Sequence, residues 1–188
     1  MILDGFVARK ILPPGTQVDA AGSATWQGVE LYCELSLDPR SGGWDCWTGD
    51  LRFRALEAAG YGGVKVKIRP VESRAGWRAD PELLVPELKQ AVSFARDRED
   101  LCEILMHPES LVRGSVEAWQ MIANYPARLA QALLIARDLG RDDLDEKVRA
   151  AVGEAPATNV YGKQVVAVES VRRWLAEYTR VVGLEVSI

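Results

Sequence analysis

Val29-Glu30-Leu31-Tyr32-Cys33-Glu34-Leu35-Ser36-Leu37 alternates apolar and polar residues without a break. Successive side chains of a strand point to opposite faces, so Val29, Leu31, Cys33, Leu35 and Leu37 share one face and Glu30, Tyr32, Glu34 and Ser36 the other. A strand of this kind has one side on a core and one side in water, the habit of antiparallel sheets.

The same signal extends in both directions. Upstream, Phe6 to Leu12 reads as a strand closed by Pro13-Pro14-Gly15, where two prolines fix φ and withhold ladder donors. Downstream of the turn-rich Asp38 to Gly43, Trp44 to Leu56 reads as one or two strands, with Leu51, Phe53 and Ala55 opposite Arg52 and Arg54. The competing reading is a helix capped by Asp50 and ended by Gly60; the alternation favours strand. Val64, Val66 and Ile68 then alternate with Lys65, Lys67 and Arg69 up to Pro70, and the turn Glu72 to Gly76 leads to a short return strand at Trp77.

At Asp80-Pro81-Glu82 the period changes from two to 3.6, because this triplet supplies a cap, a first-turn proline and an acid at the positive helix end. Pro86 restarts the helix, and Leu84, Leu88, Ala91, Val92 and Ala95 share a face, with Leu101, Ile104 and Leu105 continuing the spacing. His107-Pro108 breaks it. Val112, Val116, Trp119 and Ala123 predict a further helix, ended at Asn124-Tyr125-Pro126. Leu129, Leu133 and Ala136 predict the next, stopping at Gly140, and Leu144, Val148 and Val152 another before Gly153. After a loop from Gly153 to Gly162, Val168, Val171, Leu175, Tyr178 and Val182 mark a long amphipathic helix. Leu184, Val186 and Ile188 alternate again and predict a short terminal strand on the edge of the N-terminal sheet.

The fold class that follows is α+β: an N-terminal antiparallel β-sheet or small barrel-like β region packed with a C-terminal irregular helical bundle. Residues 1–79 are the β-rich part, 80–183 the helical part and 184–188 the terminal strand, within a single α+β domain of 188 residues. A chain of that length buries about 70% of the surface its unfolded form exposes, enough for a core without staples. The helical part shows no self-similar period, which argues against a solenoid.

Composition narrows the setting. With 48% hydrophobic and 27% charged residues the chain has the profile of a globular protein. No apolar run approaches the ~18–20 residues of a membrane span, and Asp4, Gly5 and Arg9 interrupt what a signal peptide would need. Cys33, Cys46 and Cys102 are odd in number and lack the spacing of a disulfide framework or zinc knuckle. A cytoplasmic location is the expectation, and 17 Arg against 6 Lys suggests a GC-rich bacterial genome. A net charge of −4 opposes whole-surface attraction to nucleic acid or anionic lipid.

No P-loop, GxGxxG, GxSxG, HExxH or paired CxxC is present, and His107 is the only histidine, so no cofactor or metal is expected. Cys102 and His107 lie five apart, poorly aligned on a helix, which makes a buried inert thiol the better reading than a dyad. Glu30 and Glu34 flank Tyr32 on the polar side of the deciding strand, two acids beside an aromatic, or simply a solvated strip. Lys65, Lys67 and Arg69 have the spacing to track phosphates with Tyr61 or Trp77 stacking nearby, but pairing with Glu30 and Glu34 across strands would neutralise them. The charge runs Arg96 to Asp100 and Arg141 to Asp143 read as helix ends or starts, and Trp119 and Trp174 as core. The least conventional stretch is Ser41 to Asp50, which sets Trp44, Asp45, Trp47 and Asp50 among glycines, a composition suited to an interface, although one tryptophan facing the core while the other pins an edge is the favoured account of the pair.

The function expected from this is a non-catalytic protein-binding module, of the kind that neutralises a toxin as immunity proteins do or modulates an enzyme. Trp44, Asp45, Trp47, Asp50, Glu30, Tyr32 and Glu34 are its partner-binding residues, and the partner is another protein, a basic one being the electrostatic match to an acidic chain. The alternative is a small-ligand binder or enzyme using carboxylates in a cleft between sheet and helices.

Overall fold

Two two-residue turns hold the ends of the sheet. The computed structural model describes residues 12–13, 15–18, 23–38, 43–61, 63–71, 85–120, 122–155, 167–186 and 188, with backbone alone at 33–38, 43–48, 85, 122 and 167. The strands expected at Phe6 to Leu12 and at Trp77, and the helix start at Asp80, lie outside the described residues or almost wholly so. Gln27 and Gly28 both adopt positive φ between β2 (Ser23–Trp26) and β3 (Val29–Asp38), the arrangement whose twist matches a hairpin. Gly114 has positive φ at the first position of the turn between β6 (Leu111–Arg113) and β7 (Val116–Trp119). With β1 (Gln17–Val18), β4 (Gly43–Phe53) and β5 (Val66–Pro70), these strands form one open seven-stranded sheet in the order β1-β2-β3-β4-β5-β7-β6, every neighbouring pair antiparallel.

Ala24, Trp26, Val29, Leu31, Leu51, Phe53, Val66, Ile68, Val116 and Ala118 are buried on one side of that sheet and belong to the same apolar cluster as the helices. Each fully buried Leu, Ile or Phe contributes ~1.5–3 kcal/mol relative to exposure. The helices are α1 (Arg54–Ala58), α2 (Val85–Phe94), α3 (Arg98–Met106), α4 (Tyr125–Leu139), α5 (Asp142–Glu154) and α6 (Ala167–Val182). α2 and α3 touch the sheet, and α4 is buried continuously from Tyr125 to Ala136 between α3, α5 and α6. Polar side chains tie the layers: Trp26 Nε1 donates to the Ala95 carbonyl at 3.0 Å, Ser115 N donates to Gln90 Oε1 at 3.0 Å, and Val64 N donates to Gln131 Oε1 at 3.0 Å.

The α+β class and the antiparallel sheet stand as expected, and the sheet is open rather than barrel-like. Four readings are corrected. Val112, Val116 and Trp119 do not continue a helix; they belong to the β6–β7 hairpin, because Gly114-Ser115 makes a two-residue turn and Val116 and Ala118 alternate into the core opposite Pro70 and Ile68. The stretch 44–56 is both alternatives in succession, strand to Phe53 and helix from Arg54, with Phe53 rather than Asp50 preceding the helix. The run from Leu84 to Leu105 is broken at Ala95–Asp97, where the Asp97 carboxylate accepts from Asp100 N at 2.9 Å and starts α3. Leu184 to Val186 form no strand: Gly183 turns out of α6 with φ of +75°, and the segment lies beside the end of α4, half-burying Leu184 and Val186.

Candidate functional site

The side of the sheet turned away from the apolar cluster carries the charge. Cross-strand register places Ser23, Tyr32, Asp50, Lys67 and Trp119 in one row over β2, β3, β4, β5 and β7. Three strand spacings of ~4.8 Å separate Tyr32 from Trp119, about 14 Å. Glu30 and Arg52 are paired in the next row, and Arg69, Glu117 and Val112 in the row on the other side.

Ion pairs run through this face. Glu30 accepts from Arg54 at 2.6 Å; Asp50 accepts from Arg52 at 3.0 Å and lies 3.4 Å from Lys65; Glu57 accepts from Arg52 at 3.2 Å; Glu117 accepts from Arg69 at 2.9 Å. The Arg52 guanidinium stands 5.6 Å over the Tyr32 ring and that of Arg69 5.1 Å over the Trp119 ring. The acids lie low and most of the cations stand out. Side-chain exposure is 6% for Glu30, 16% for Glu57, 19% for Glu117 and 23% for Asp50, against 41% for Arg69, 44% for Lys65 and 45% for Arg54. Only Arg52, at 16%, is as sheltered as the acids. Lys67 is exposed and makes no ion pair among the described residues. Among the side chains described on this face, the ones that stand outward are therefore mostly basic, although the chain as a whole carries −4.

Of the seven residues singled out in the sequence, Glu30, Tyr32 and Asp50 come together here. Glu34, Trp44, Asp45 and Trp47 lie farther along β3 and β4, described by backbone only: Glu34 pairs with Thr48, Leu35 with Trp47 and Leu37 with Trp44. Asp45 is the extra residue of a bulge, since the register shifts between Ser36 and Leu37. Among the described residues β2 pairs with β3 only as far as Tyr32 and β5 with β4 only as far as Gly49, so neither strand is paired with this outer hairpin there. Arg54, Glu57, Glu117 and Trp119 were missed. Trp119 reads as core under a helical period, and only its alternation with Ala118 after a Gly-Ser turn points to the open side. The cations of β5 meet Asp50 and Glu117 rather than Glu30 and Glu34, because β4 lies between β3 and β5.

Cys102, His107 and Arg128 are tied by hydrogen bonds to backbone carbonyls. Cys102 is buried and donates to the Ala132 carbonyl at 3.4 Å, and burial pushes its thiol up to about 12, which keeps it protonated. His107 ends α3 with its ring against the Glu109 carbonyl at 2.9 Å. Arg128, buried on α4, donates to the carbonyls of His107 at 2.7 Å and Pro108 at 3.3 Å and to Gln120, and loss of solvent lowers its guanidinium to about 10. A cavity of about 160 Å³ lies at the junction of α4 and α5, walled by Arg137, Arg141, Asp142, Asp145 and Glu185 among others; it contains none of the carboxylates singled out in the sequence. Among the described residues no cluster of three or more His, Cys, Asp or Glu is placed to hold a metal, and no helix is long and apolar enough to cross a membrane. Comparison with protein-family models, curated proteins and solved structures finds no match to this chain.

Proposed function

We propose that this chain is a non-catalytic protein-binding module that neutralises or modulates another protein, docking it on the open side of the sheet. The reading is carried by one observation: Tyr32, Arg52, Arg69 and Trp119 share that face as two guanidinium–aromatic pairs. Tyr, Trp and Arg are the residue types that dominate interface energetics, since each presents a large surface with few conformations to lose. Exposed Val112 adds an apolar edge beside Glu117. The nominated carboxylates Glu30 and Asp50 are held by Arg54, Arg52 and Lys65, an arrangement suited to a fixed surface rather than to proton transfer.

The test is affinity capture from native lysate with the tagged protein, repeated with Tyr32→Ala plus Trp119→Ala and separately with Trp44→Ala plus Trp47→Ala, each checked for folding by circular dichroism. A stoichiometric partner retained by the parent and lost by the first variant is expected. Loss only in the second moves the interface to the outer hairpin, and retention by both refutes the assignment of the surface.

A further inference from the structure

Resting on that reading, we propose that the partner presents an acidic, carboxylate-rich polypeptide segment, which lies along the stripe of Lys65, Lys67 and Arg69 between Tyr32 and Trp119. This reverses the sign that the acidic chain total suggests. Among the described side chains of this face five are basic, Arg52, Arg54, Lys65, Lys67 and Arg69, and four acidic, Glu30, Asp50, Glu57 and Glu117; all four acids are sheltered, and of the cations only Arg52 is. Sheltered carboxylates hold the exposed Arg54 and Arg69 guanidinium groups through one nitrogen each, leaving their other N–H donors for a second carboxylate. Lys67, in register between Asp50 and Trp119, supplies a cation with no ion pair among the described residues. These nine side chains sum to +1 in a chain of −4, so an acidic segment is attracted to them more than to the chain as a whole.

A single-stranded nucleic acid is the other polyanion such a face calls to mind, and the rings count against it, since a guanidinium takes one face of each. Base stacking requires an open aromatic face; the Tyr32 and Trp119 rings each already lie under a guanidinium, at 5.6 and 5.1 Å. An anion meeting this surface is held by charge-assisted hydrogen bonds instead.

Fluorescence anisotropy with a labelled glutamate-rich peptide and, in parallel, a labelled oligothymidylate distinguishes the two. The expected result is peptide binding that weakens steeply with added salt and falls about tenfold in Lys67→Glu, a substitution that breaks no ion pair among the described residues. Arg69→Gln, with Glu117 left in place, weakens it further. Oligothymidylate binding tighter than peptide binding, or no peptide binding at low salt, overturns the inference. Measured on a captured native partner, an affinity unchanged by Lys67→Glu but lost in the Tyr32→Ala plus Trp119→Ala variant leaves the protein-binding reading standing and removes this one.

Discussion

Tyr178 shows how much one side chain on α6 is asked to tolerate. It is fully buried, edge-on to Tyr61 with centroids 5.6 Å apart and tilted against Trp174 at 5.9 Å, and its hydroxyl has no hydrogen-bond partner among the described residues. Burial pushes the phenol above its ordinary range. A buried polar group left unsatisfied costs ~1–3 kcal/mol, whereas the ring's packing is shared by phenylalanine. Tyr178→Phe is therefore expected to raise unfolding stability by about 1 kcal/mol in urea titration, with the slope unchanged. A loss of stability would mean that the hydroxyl is bonded. No sequence pattern announces this: the 3-4 spacing puts Tyr178 on the core stripe, but whether its oxygen finds an acceptor depends on side chains far away in the chain.

At the scale of elements, the turns show where local chemistry suffices and where it does not. Gln27-Gly28 takes positive φ at both positions, which glycine accepts freely and other residues do not. A Cβ at Gly28 would also meet Arg98 Cδ at 2.5 Å, because the Arg98 side chain, on its way to Asp138, crosses the turn. At Gly140, the αL end of α4 with φ of +64°, nothing stands within 4 Å. Gly140→Ala should cost only the left-handed backbone, ~1 kcal/mol, and Gly28→Ala distinctly more, ~2–3 kcal/mol, as the arginine is displaced as well. Equal losses in thermal or urea unfolding would refute the steric part. β3, β5 and α6 were legible because their alternation or 3-4 stripe reports burial directly. The β6–β7 hairpin was not, since Val112, Val116 and Trp119 also satisfy a helical period, and only pairing with β5, 46 to 52 residues upstream, settles the choice. The site was half legible for the same reason. Glu30, Tyr32 and Asp50 follow from alternation, while their company with Lys67 and Trp119 follows from strand order.

Across the whole molecule, the sheet separates two tasks, one side sealed by helices and the other bearing charge, and the helical layer is joined by ion pairs that a change in pH reaches. Arg141 donates to Asp143 at the start of α5 and to Glu99 on α3, both at 2.8 Å, and Arg96 donates to Asp100 in the first turn of α3 at 2.7 Å. The Arg141 guanidinium holds the Asp143 carboxyl at about 2, below its usual 3.8, and Arg96 lowers Asp100 in the same direction. A carboxyl that binds its proton more weakly in the folded protein than in the unfolded chain contributes stability that is complete above its ordinary pKa. That contribution is lost as pH falls through the folded value. Urea-unfolding stability should accordingly hold down to about pH 4 and decline between there and pH 2, and Asp143→Asn should be less stable at neutral pH yet decline less over that interval. Both acids sit where a helix's first turn favours negative charge, so the two effects share a sign. If the parent and Asp143→Asn lose stability in parallel from pH 4 to pH 2, the pair at the start of α5 does not couple folding to pH.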